Sequence, residues 1–234
     1  MCTAQNIFVK LKRALPPPAG MASTPRPGTP RQGAAEAEPA RQRLRVCVEG
    51  NIGSGKTTSL ERLALLRPDL ALYPEPLEEW GALLGRFYRE PSQWALAFSL
   101  RVLLSFARLG GHAGPCVVER SPMSCRHVFS QLLFNEGKLT QEEWDLFKDF
   151  CDALGWAPDV IVYVHAPADE CYRRMQRRGR PEEAGVDLHY LKRLEFQYET
   201  MLRYTGVRVE RVDGTQPPEV IAAAIAAIVD DMAA

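Results

Sequence analysis

The sequence predicts an α/β fold: a central parallel sheet flanked by helices on both faces. Three observations carry that prediction. The apolar run Val46-Cys47-Val48 leads through a glycine-rich turn into a helix-compatible segment. Asp159–Val164 is a continuous apolar run, the pattern of a strand buried on both sides. Around these two, strand-like stretches alternate with helical ones, as crossover-connected parallel strands require. The chain has 234 residues, a length that suits one domain, or one domain and a tail.

The elements follow in order. Residues 1–43 contain Pro16-Pro17-Pro18 and four further prolines, with Phe8 the only aromatic. Such a segment buries too little apolar surface to offset its ordering entropy, so a disordered, basic tail is expected. Residues 44–234 form the expected domain. A first strand, Leu44–Val48, is followed by a helix with the stripe Leu60, Leu63, Ala64 and Leu66. Leu70–Tyr73 reads as a second short strand, and the residues up to Tyr88 as helical. Glu90-Pro91-Ser92 breaks the chain before a long helix from Gln93 to Leu109, apolar on most sides and hence expected to be buried or at an interface. Cys116–Val118 is a third strand. Thr140-Gln141-Glu142-Glu143 is a capping box that opens a helix to Leu154. After the strand at 159–164 come a helix from Ala168 to Arg177, a helix from Asp187 to Tyr204, a strand Val207–Val212 and a last helix, Pro217–Met232.

The turn after the first strand carries the most chemistry. Gly50-Asn51-Ile52-Gly53-Ser54-Gly55-Lys56-Thr57, followed by Thr58, matches G-x-x-x-x-G-K-[ST], the phosphate-binding loop. Its glycines let successive backbone N–H groups curl around phosphate oxygens, and the helix that follows points its free N–H groups at the same anion. Lys56 supplies positive charge and Thr57 a hydroxyl for Mg²⁺. A chance glycine turn would not reproduce the whole motif between a strand and a helix. The motif implies binding of a nucleoside triphosphate and leaves the phosphate acceptor open.

Composition narrows the remaining classes. Lys+Arg and Asp+Glu both number 29, so no global charge favours nucleic acid or a membrane surface. The 6 cysteines include no C-x-x-C pair, which favours a reducing compartment. No apolar run is long enough to span a bilayer. The stretch Ile7–Arg13 is basic and amphipathic. A cytoplasmic location with a solvated tail is expected, with a mitochondrial transit peptide as the alternative and Met21 as a second candidate start.

Four further runs accompany the loop: Glu75-Pro76 with Trp80; Tyr88 with Glu90-Pro91 and Trp94; Glu119-Arg120-Ser121; and Arg178-Gly179-Arg180-Pro181-Glu182-Glu183. This ordered set resembles the deoxynucleoside kinase family from about Arg43 onward. The resemblance implies a P-loop kinase fold with an arginine-rich lid, ATP as phosphate donor, Mg²⁺, a deoxynucleoside acceptor and a homodimer. It casts Glu75 as the base for the 5′-hydroxyl, Arg120 as its partner, and Glu119 with Thr57 as the Mg²⁺ site. Arg174, Arg178 and Arg180 become lid residues that neutralise the triphosphate. Trp80 becomes a wall of the nucleoside pocket, Phe129 the ring that stacks on the base, and Glu183 with Tyr88 the grip on the sugar 3′-hydroxyl. Each has a plainer alternative: a solvated acid for Glu75, a core ring for Trp80, a structural ion pair for Glu119-Arg120, a solvated face for the arginines.

The departures bear on the base. The family usually carries a Gln five residues after the Trp matched by Trp94; here Ser99 stands there and cannot make the paired amide contact. Deoxycytidine-selective members carry an Arg and an Asp where this chain has Phe106 and Cys125. Val102, Phe106 and Cys125 therefore favour a pyrimidine pocket that tolerates the thymine methyl. Three rivals stand beside this reading: a thymidylate-kinase-like monophosphate kinase, a GTPase-type switch, and a catalytically weakened nucleotide-binding protein. The switch would need an Asn-Lys-x-Asp run, which the sequence lacks.

Overall fold

A computed structural model describes residues 43–112 and 114–233. The expectations for residues 1–42 lie outside the described residues. The five strands are β1 (Arg45–Glu49), β2 (Ala71–Tyr73), β3 (Cys116–Glu119), β4 (Val160–His165) and β5 (Arg208–Asp213). They form one all-parallel sheet in the order β2-β3-β1-β4-β5. The expected fold class is the observed one. β1 and β3 are buried along their whole length, where Val46, Val48, Val117 and Val118 suit a pleated surface covered on both faces. The edge strand β5 instead carries Arg208, Glu210, Arg211 and Asp213, charges that discourage further strand pairing.

The helices are α1 (Lys56–Leu66), α2 (Leu77–Arg89), α3 (Pro91–Leu109), α4 (Pro122–Ser124), α5 (Gln131–Asn135), α6 (Gln141–Leu154), α7 (Ala168–Arg178), α8 (Leu188–Tyr204) and α9 (Pro218–Ala233). On one face, Leu60 and Leu63 of α1 and Ile221, Ile225 and Val229 of α9 cover Val46, Val48 and Val162. On the other face, α7 and α8 bring Met175, Leu191, Leu194 and Tyr198 against Ile161 and Tyr163. Beside them α2, α3 and α6 pack Phe87, Leu103, Phe106, Trp144 and Phe147 around Cys47 and Val118.

Two results extend the sequence reading. Residues 122–135, for which no element was expected, form α4, a π-helical turn Cys125–Ser130, and α5. The long helix is not wholly buried: Leu104 is 41% exposed. Because β2 and β3 lie on one side of β1 and β4 and β5 on the other, the chain connections diverge beyond the carboxyl end of β1. That divergence opens a crevice in sheets of this kind.

Candidate active site

The loop between β1 and α1 has a conformation that only glycine sustains. Gly50, Gly53 and Gly55 have φ of +149°, +82° and +101°. A Cβ on Gly53 would lie 2.5 Å from the Cys171 carbonyl oxygen of α7, and one on Gly50 2.4 Å from that of Val164. The loop is thus pressed against the end of β4 and the lid helix. Asn51 ties it to α8, its amide donating to the Leu191 carbonyl at 2.8 Å. Helix α1 starts with no side-chain cap and no acid in its first turn, which leaves its N–H groups open to an anion. The Ser54 hydroxyl is buried without a partner. Lys56 Nζ donates to the carbonyls of Gly50 (3.1 Å) and Asn51 (2.8 Å), with one donor left over. Burial, aided by the charge of Arg120, lowers the Lys56 pKa to about 8. This cradle fits a polyphosphate.

Glu75 follows β2, Glu119 ends β3 and Arg120 follows it, and the three meet at the same end of the sheet. Arg120 Nε donates to Glu75 Oε1 at 2.6 Å, and its Nη1 to the Gly50 carbonyl at 2.8 Å. Among the described residues Arg120 is the only non-glycine with positive φ, at 65°. That strain is held by Ser121, which caps α4 and bonds its hydroxyl to Glu49 at 2.6 Å. Burial opposes the charge of Arg120, but Glu75, Tyr198 and Glu49 together raise its pKa. Thr57 donates its hydroxyl to Glu119 Oε1 at 2.8 Å. Burial, and then the charge of Glu75, raise the Glu119 pKa above the usual carboxylate range. A hard divalent cation would relieve that repulsion. Mg²⁺ needs only one or two protein oxygens beside phosphate and water, so Thr57 and Glu119 fit it without a larger cluster.

A cavity of about 540 Å³ runs from this loop to α3. Its lining includes Lys56, Thr57, Thr58, Glu75, Glu119 and Arg120 at one end, and Trp80, Ser99, Val102, Phe106, Cys125 and Phe129 at the other. Tyr88, Glu183, Arg178 and Arg180 lie along it too. Trp80 serves wall and core at once, being 3% exposed and edge-on to Phe98. One face of Phe129 is covered by the Arg120 guanidinium, 4.7 Å from the ring centre. Ser99 does not stand alone: Ser130 donates to its hydroxyl at 3.0 Å.

The arginines expected in a lid divide. Arg178 Nη2 donates to Glu183 Oε1 at 2.5 Å, and Arg180 lies 3.8 Å from the same oxygen, while Glu183 Oε2 is buried without a partner. Arg174 instead braces the loop, donating to the carbonyls of Ser54 (3.3 Å) and Gly214 (2.7 Å). With Arg177, Thr215 and Gln216 it lines a second cavity that opens onto Gly53, Gly55 and Thr58. The sequence reading gave no role to Tyr190, Ser130, Glu49 or Tyr198. The first two line the cavity, and the last two stand behind Arg120. No spacing rule pointed to Ser130, Glu49 or Tyr198, because their partners are 31 to 149 residues away in the chain.

Comparison with known proteins bears on identity. A family model described as deoxynucleoside kinase matches residues 46–229. Deoxycytidine kinase 2 of Gallus gallus is 31% identical over 207 residues, spanning 73% of this chain and 78% of that protein. Thymidine kinase of Ictalurid herpesvirus 1 (strain Auburn) is 34% identical over 202 residues, 82% of this chain and 88% of that protein. The mitochondrial Thymidine kinase 2 of Homo sapiens is 32% identical over 171 residues, 67% of this chain and 63% of that protein. With the strand order, the phosphate loop and the family match in agreement, this chain belongs to the deoxynucleoside kinase family.

Proposed function

We propose that the protein transfers the γ-phosphoryl group of ATP to the 5′-hydroxyl of a deoxyribonucleoside, thymidine or another deoxypyrimidine preferred, releasing ADP and the 5′-monophosphate. The family accounts for the nucleoside acceptor and for ATP as donor. One observation carries the rest: Glu75, joined to Arg120 at 2.6 Å, lines the same cavity as Lys56. One Glu75 oxygen serves Arg120, and the other is available to take the 5′-hydroxyl proton as that oxygen attacks phosphorus. Lys56, the loop N–H groups and Arg174, Arg178 and Arg180 hold the phosphates and spread the charge that develops on them. Thr57 and Glu119 would hold Mg²⁺, which would supply further neutralisation there. Glu183 and Tyr88 take the 3′-hydroxyl, and the second cavity receives the donor base.

The pyrimidine preference rests on the lining at Val102, Phe106 and Cys125, which is apolar or small where a thymine methyl would sit. Relatives with both thymidine and deoxycytidine in their names match comparably, so the lining carries this part alone. A homodimer through α3 and α6 is supported by Leu104, Leu146 and Phe150, left 41%, 46% and 38% exposed on those helices. A purely monomeric sedimentation profile at micromolar concentration would remove that part. Among the described residues five cysteines are buried and free, which favours a reducing compartment, in keeping with a cytoplasmic location.

The decisive assay offers each of the four deoxynucleosides with ATP to the wild type and to Glu75→Gln. Thymidine monophosphate is expected from the wild type, with the variant strongly impaired. Turnover of thymidylate but not thymidine would move the assignment to a monophosphate kinase.

A further inference from the structure

A short relay of buried side chains runs from the sheet to Glu75. Glu49, the last residue of β1, and Tyr198 of α8 are both 0% exposed, and neither lines the cavity. The Tyr198 hydroxyl accepts from Arg120 Nη1 and donates to Glu49 Oε2 at 3.1 Å. The other Glu49 oxygen accepts the Ser121 hydroxyl at 2.6 Å. Arg120 Nη1 also donates to the Gly50 carbonyl at 2.8 Å, and Nε to Glu75 at 2.6 Å.

We propose that Tyr198, supported by Glu49, is a positioning residue that fixes the direction in which Arg120 presents Glu75 to the reacting hydroxyl. The proposal rests on Glu75 being the base. A guanidinium is a rigid plane, so two acceptors on Nη1 fix that plane, and with it the line of the Nε–H bond. Arg120 has competing attractions, since Glu119 and Glu49 both lie within its field. Without the phenol, Nη1 keeps only the Gly50 carbonyl, and the fork is free to turn towards either acid. The Glu75 carboxylate would then lose its aim while the phosphate loop and the apolar wall of the cavity stayed in place. Small misalignments of this kind cost rate rather than binding.

The test is Tyr198→Phe in the full-length enzyme. The ring keeps its packing against Tyr163 and Phe129, and only the hydroxyl is removed. The expected result is a kcat about 10- to 100-fold lower, with both KM values within about twofold of wild type. In a Glu75→Gln background the same change should alter kcat by less than about twofold, because the group it acts through is already absent. Tyr163→Phe, another buried phenol of the same cluster, should leave kcat unchanged. An unaltered kcat in Tyr198→Phe overturns the proposal, as does a loss that multiplies undiminished onto Glu75→Gln. A Glu75→Gln enzyme of wild-type rate overturns the base assignment as well, and is read separately, before the tyrosine variants. Should Tyr198→Phe not fold, Glu49→Gln applies the same double-variant test from the other end of the relay.

Discussion

The two ends of the cavity are built by different means. The phosphate end is mostly backbone: three glycines at positive φ, a helix start without a side-chain cap, and one lysine anchored on two carbonyls. The base end is all side chain, contributed by α2, α3 and the π-helical turn, and its polar groups include the paired hydroxyls of Ser99 and Ser130. A backbone cradle demands particular residues at fixed spacing, whereas many side-chain combinations make an apolar wall. The first end therefore tolerates almost no substitution, and the second is where substrate choice can drift.

The sharpest way to break this contrast lies at the junction of the two ends. Glu75→Gln should lower kcat by about 10²- to 10⁴-fold, the range for a lost general base, with little change in KM. A loss spread equally over KM would mean that Glu75 binds rather than reacts. Next in size, Gly53→Ala forces both an unfavourable φ and a Cβ against the Cys171 carbonyl. A loss of about 2–5 kcal/mol in urea unfolding is expected. Gly81→Ala in α2, where the added Cβ meets nothing within 4 Å, should instead stabilise by about 0.5–1 kcal/mol.

The pH dependence comes third. Lys56 is held at about 8, below its ordinary 10.5, so between those values the unfolded chain binds more protons than the ligand-free fold. Its contribution to unfolding free energy should rise with pH over that window. Nucleotide binding should behave oppositely. Below pH 8 Lys56 is already charged, and above it each binding event must take up a proton. ATP affinity should then fall by about tenfold per pH unit above 8, with proton uptake visible by calorimetry in buffers of different ionisation enthalpy. Lys56→Arg should flatten that slope, since arginine stays charged throughout. Smallest is Ser99→Ala, expected to change thymidine kcat/KM by about fivefold, the worth of one neutral hydrogen bond. A hundredfold loss would show that the hydroxyl pair reads the base directly.

Legibility in the sequence follows the same divide. The phosphate loop, the strand alternation and the all-parallel sheet could be read because each is a local pattern: glycine spacing, apolar runs, helical stripes. Residue boundaries shifted by one or two, as with the third strand, which continues to Glu119. Residues 122–135 carried no readable element, since a π-helical turn breaks the helical period that would announce it. That is why Cys125 and Phe129 could be placed near the base only through the family resemblance. Tyr198 falls inside the expected helix 187–204 with no motif around it, and its partners Glu49 and Arg120 become neighbours only once the sheet has formed.

The π-helical turn has a consequence of its own. One extra residue is wound into the stretch Cys125–Ser130, and the ordinary helices before and after it are undisturbed. Deleting a single residue there would return the winding to 3.6 per turn and swing the side chains of that stretch around the axis. On the proposed function, a length change alone would alter which atoms confront the incoming nucleobase, a route to new substrates that no scan of point substitutions would sample.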